Sequence, residues 1–134
     1  MTTAFIAEQE FYVRYAETDA MAIVHHASYI VYLEEARSHY ARERGGSYAE
    51  FEATGHFLVV TEIQARYMAA ARYGDKLRVR CWIEELKSRR ITFAYEVLNA
   101  TSGQSLMTAT TQHICVDRAG NITTIPAAWR QWSL

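Results

Sequence analysis

The sequence predicts an α+β fold in which one long helix packs on a curved antiparallel sheet of five to six strands. Three observations carry this reading. One stretch repeats apolar residues at helical spacing, and four later stretches alternate at strand spacing. The breaks between those strands are too short for parallel crossovers. With 134 residues, half of them hydrophobic and only one a proline, the chain suits a single domain, 1–134, that can bury a core.

Taken in order, residues 8 to 16 form the first strand, rich in aromatic and β-branched side chains (Phe11, Tyr12, Val13, Tyr15). From Ala27 to Arg44, Tyr29, Ile30, Leu33, Ala36 and Tyr40 recur every three or four residues, with Arg37 joining by its stem, and Gly45-Gly46 ends the helix. Ser47 can cap a short second helix to Thr54, with Glu50 completing a capping box and Gly55 closing it. Residues 57–69, 76–86, 89–99 and 105–117 then read as four strands. The clearest sets Leu77, Val79, Cys81 and Ile83 against Arg78, Arg80, Trp82 and Glu84, one buried face and one amphipathic. Pro126 opens a small terminal helix. A helix of about 18 residues spans only ~27 Å, so part of the sheet stays uncovered and at least a homodimer, or a homotetramer, is expected.

The formal charge of −1 argues against general nucleic-acid binding. Between Arg66 and Arg90, however, eight basic residues stand against three acidic ones, a local excess that suits either a small polyanion or a solvated sheet face. Cys81 and Cys115 sit in strand-like runs without CxxC spacing, so packed free thiols are expected and no metal site. The N-terminus lacks a basic start followed by an apolar run, and no apolar stretch is long enough to span a bilayer. A cytosolic protein without membrane insertion is the expectation.

The chemistry concentrates between Tyr15 and Tyr29, where a strand meets the main helix. Asp19 offers a carboxylate and His26, seven residues on, an imidazole at the helix start. The first amides of a helix have no intrahelical partners and carry partial positive charge, so they can bind a phosphate or a developing oxyanion. An acid, an imidazole and free amides within a dozen residues make a hydrolytic site.

The pattern of Tyr15, Asp19, Ala22, Ile23, Val24, His26 and Tyr29, with YLEEAR following it and Phe57 to Val60, Tyr67, Ala71, Asp75 and Leu77 later, resembles hot-dog-fold acyl-CoA thioesterases of the 4-hydroxybenzoyl-CoA thioesterase and YbgC type. The similarity covers about residues 8 to 130. It departs at Ala22, where the family usually has glycine, a residue that permits backbone conformations a methyl group restricts.

The resemblance implies an acyl-CoA substrate and no cofactor. It makes Asp19 the nucleophile or the general base, where residue type alone equally suits a turn or helix cap. It places His26 near the thioester, and a neutral imidazole is the form expected at a helix start. Tyr15 would position the carboxylate or simply pack. Amides near Val24 to Ala27 would polarise the carbonyl. Arg89 and Arg90, in the tight KSRR turn, would hold the nucleotide phosphates or form a charged hairpin tip. Met21, Tyr29, Phe57, Val59 and Val60 would wall the acyl group or belong to the core. Three other readings compete: a hot-dog dehydratase using Glu34, Glu35 or His39 of the helix, a non-catalytic acyl-CoA-binding module, and a thioesterase acting on acyl carrier protein.

Overall fold

In a computed structural model, which describes residues 5–133, the strands are β1 (Ala7–Tyr12), β2 (Phe57–Tyr67), β3 (Lys76–Leu86), β4 (Arg90–Asn99) and β5 (Ser105–Val116). The helices are α1 (His26–Glu43), α2 (Tyr48–Ala53) and a terminal turn, α3 (Ala127–Arg130). All strand pairs are antiparallel, and the sheet runs β1-β3-β4-β5-β2. The five strands and the main helix expected from the sequence are therefore present.

α1 buries Tyr29, Tyr32, Leu33, Ala36, Tyr40 and Ala41, a stripe with the 3.6-residue period of a helix that covers a sheet. It packs on β1 and β3, where Leu77, Val79 and Cys81 are buried. Ser47 caps α2 by accepting the Glu50 amide at 3.1 Å. Both cysteines are buried free thiols, whose pKa values burial pushes up.

The first strand is shorter than its composition suggests. It ends at Tyr12, because Val13 donates to the Asp75 carbonyl and Tyr15–Glu17 turn into a 3-10 helix. The Glu17 carboxylate, only 13% exposed, stabilises that turn. It accepts the Arg14 amide at 2.8 Å, the Arg14 guanidinium at 2.6 Å and the Tyr32 hydroxyl at 2.9 Å. Burial raises its pKa, but these donors outweigh burial and hold it below the usual carboxylate value.

The basic excess of the middle strands is largely neutralised across the sheet. On the face away from α1, Arg78 pairs with Glu10 at 2.8 Å and Lys76 with Glu10 at 3.3 Å. Arg80 reaches Glu8 at 3.4 Å and Glu96 at 3.1 Å. The carboxylates of β1, more than sixty residues earlier in the chain, face the cations of β3 through strand register.

β2 is an edge strand whose residues from Val59 to Tyr67 are all exposed, although Val59, Val60, Ile63 and Tyr67 are apolar or aromatic. Beneath α1, a polar chain crosses the core: the Arg37 guanidinium donates to the Tyr95 hydroxyl at 3.5 Å, which lies 2.6 Å from Thr111 Oγ1, itself 2.8 Å from His113 Nε2.

Candidate active site

Asp19 heads a three-residue hairpin. Its amide donates to the Ile23 carbonyl and its carbonyl accepts the Ala22 amide, both at 2.9 Å, while Thr18 bridges Val24. Ala22, at the position where such a hairpin places a left-handed residue, has φ 64°. This is the conformation that glycine would adopt freely at the one position departing from the family pattern. The left-handed region costs a residue with a Cβ about 1–2 kcal/mol, against about 0.5–1 kcal/mol of extra chain entropy for glycine. Ala22→Gly is therefore expected to raise stability by up to about 1 kcal/mol, and a lower denaturation midpoint in that variant would contradict the strain.

The same turn aims the carboxylate. Asp19 Oδ1 accepts the Met21 amide at 2.8 Å, whereas Oδ2 has no hydrogen-bond partner among the described residues. The Met21 amide thus takes the holding role expected of Tyr15, whose side chain is 78% exposed and stands edge-on to Tyr73.

Helix α1 begins beside this hairpin. His25 is its cap: Nδ1 accepts the Ala27 amide at 3.1 Å and closes the helix start. Of the amides expected to face a substrate, that of Val24 donates to Ala71 at 2.8 Å and that of His25 to Glu17 at 2.9 Å. Ala27 is taken by the cap. The His26 N–H alone in this run lacks a partner among the described residues, so the expectation for Val24 to Ala27 narrows to one donor. The engaged amide of Val24 corrects its backbone role, although its buried side chain still lines the site.

A cavity of about 320 Å³ joins these groups, lined by Asp19, Ile23, Val24 and His26 together with Tyr29 and Tyr67 and closed by Ala69 and Ala70. Tyr67 donates to the His26 carbonyl at 2.9 Å and meets the Tyr29 ring edge-on at 5.4 Å. A larger hollow, about 390 Å³, lies among Arg66, Trp82, Glu84, Thr108 and Thr110. Neither Asp19 nor the helix start lines it.

Asp19, His26, Val24 and Tyr29 are thus brought together, and other predicted residues are not. Tyr15 and Met21, the latter 74% exposed, lie outside the cavity lining. Val59 and Val60 are on the exposed edge strand and do not line the cavity either. At the start of β4, Arg90 pairs with Glu85 at 3.1 Å. Arg89 is exposed, and its side chain has no polar partner among the described residues. On the dehydratase reading, Glu35 is paired with Arg42 and His39 lies 3.0 Å from the Glu8 carbonyl. Neither they nor Glu34 line the cavity.

The family model for the thioesterase-like superfamily matches residues 13–133. The chain is 35% identical to the putative acyl-CoA thioesterase YneP of Bacillus subtilis, over 84% of this chain and 81% of that protein. It is 31% identical to the acyl-CoA thioester hydrolase YbgC of Escherichia coli, over 78% of each. The fold superposes on the solved DHNA-CoA thioesterase of Staphylococcus aureus with a TM-score of 0.88 and 29% identity, covering 96% of this chain and 86% of that one. A helix laid on a five-stranded antiparallel sheet, a carboxylate at the turn before it and a match along nearly the whole chain lead to one conclusion: the chain belongs to the thioesterase-like superfamily and is a hot-dog thioesterase.

Proposed function

We propose that the chain hydrolyses acyl-CoA esters to a free acid and coenzyme A at the cavity between the Asp19 hairpin and the start of α1. The observation that carries the proposal is that one cavity is lined by both Asp19, whose carboxylate has one oxygen without a partner, and His26, whose helix-start amide has none among the described residues. The acyl-CoA names of YneP and YbgC support the substrate class.

In this reading the thioester carbonyl accepts the His26 N–H, which stabilises the oxyanion as the carbonyl carbon becomes tetrahedral. Asp19 Oδ2 supplies the attack, either by adding to that carbon or by taking a proton from the water that adds. The C–S bond then breaks and the thiolate of coenzyme A leaves; where Asp19 itself has added, water hydrolyses the resulting acyl–Asp19 anhydride to the free acid and the carboxylate, and where water has added, the acid is released directly. His26, exposed at the rim, would act through its imidazole on the substrate or on Asp19. The Tyr29 ring walls the acyl side. Over many turnovers, hydrolysis in ¹⁸O-water should yield acid carrying the label together with an equal amount of free thiol. Thiol release without labelled acid would mean transfer to another acceptor and would contradict the proposal.

For the nucleotide end, Arg89 has no ion-pair partner among the described residues and Arg90 shares its charge with Glu85. Replacing both by alanine should raise KM for an acyl-CoA about tenfold with kcat within about twofold. KM for the matching acyl-pantetheine, which lacks the phosphates, should stay unchanged. An unchanged acyl-CoA KM would remove the pair from the site. The uncovered apolar edge of β2 further supports assembly of two chains through that strand.

A further inference from the structure

We infer that Tyr67 is a positioning residue for hydrolysis, holding the first peptide of α1 so that the neighbouring His26 N–H keeps its aim; this rests on the thioesterase reading above. The unpaired amide and the carbonyl of His26 belong to successive peptide planes that meet at one Cα. The second of these planes is gripped at both ends. Its N–H, that of Ala27, is bound by His25 Nδ1 at 3.1 Å, and its C=O, that of His26, accepts the Tyr67 hydroxyl at 2.9 Å. The first plane is held at its carbonyl end, where His25 accepts the Ser28 amide at 2.9 Å. With these contacts made, the His26 N–H has little freedom to turn away.

Tyr67 is built to hold this position. It is the last residue of β2, paired with Met107 of β5, and the next two amides both donate to the Leu106 carbonyl, at 2.8 and 3.2 Å. Its ring rests edge-on against Tyr29, which is itself only 3% exposed. Partial burial raises its hydroxyl pKa, so it remains a donor at neutral pH. The contact joins the end of β2 to the start of α1 across 41 residues of sequence.

Tyr67→Phe removes the hydroxyl and leaves the ring contact. In steady-state thiol release from an acyl-CoA, kcat should fall about three- to tenfold, the range of one net hydrogen bond, with KM within about twofold. A kcat within about 1.5-fold of native would overturn the inference. So would a raised KM at unchanged kcat, which would make Tyr67 a binding wall only. Turnover by the native chain in the same assay tests the thioesterase reading separately. The positioning claim has its own readout in amide hydrogen exchange: the first turn of α1 should exchange at least about threefold faster in Tyr67→Phe, and unchanged exchange would overturn it whether or not an ester is hydrolysed.

Discussion

Asp19→Asn is expected to lower kcat for thioester hydrolysis by about 10²- to 10⁴-fold, the usual contribution of a positioned acid–base group, while the protein stays folded. The geometry explains why the two effects separate. Asp19 Oδ1 accepts the Met21 amide, and an asparagine side-chain oxygen can make the same bond. The hairpin is otherwise held by backbone contacts, from the Asp19 amide to Ile23 and from the Ala22 amide to Asp19. What the substitution removes is the negative charge and the basicity of Oδ2, needed whether the carboxylate attacks directly or activates water. Circular dichroism and the denaturation midpoint should therefore match those of the native chain. An active Asp19→Asn variant would move the chemistry to another residue.

The second large effect is on stability and falls in the acid range. His113 is 1% exposed, and burial, aided by the nearby Arg37 charge, lowers its pKa to about 3. The hydrogen-bond chain beneath α1 gives the physical reason. Arginine only donates, so Tyr95 accepts from Arg37, and the chain runs on through Thr111 to His113 Nε2. The other ring nitrogen, Nδ1, is buried without a hydrogen-bond partner among the described residues, so a doubly protonated ring would place charge in an apolar interior next to a cation.

The unfolded chain protonates His113 at its ordinary pKa of about 6.5 and the folded chain does not, so the unfolded state binds more protons between about 6.5 and about 3. The penalty is absent above that window, grows by up to about 1.4 kcal/mol per pH unit within it, and levels off near its lower end. Urea denaturation from pH 7.5 to 4.5, with His113→Gln as the non-titrating control, should show the native chain losing stability more steeply by about that amount. Equal slopes would mean that His113 titrates normally in the folded protein.

Much of the frame could be read from local pattern. The apolar stripe of α1 placed the helix within a residue of its observed limits, His26–Glu43, because that face lies on the sheet throughout. That Asp19 sits in a turn and His26 at the helix start was legible because both are local structures. Contacts across long sequence separations were not. Tyr67 reaches His26 over 41 residues and Glu8 faces Arg80 over 72. The cations of β3 therefore showed no nearby partners in the sequence, because Glu8 and Glu10 lie in β1, and Tyr67 looked like an ordinary strand residue. His25 was missed for another reason, since histidine is not among the preferred helix caps and only the observed Nδ1 contact shows the role. Tyr15 misled through composition: its aromatic neighbours suggested a continued strand, but Glu17 gathers Arg14 and Tyr32 and turns the chain.

The most direct test of the central claim is the initial rate of free-thiol release by the native protein from a panel of short, long and aromatic acyl-CoA esters. Saturable release from at least one class, well above spontaneous hydrolysis, is the predicted result. No release from any ester, in a protein that coenzyme A nevertheless stabilises against heat, would contradict hydrolysis and leave a cavity that only binds.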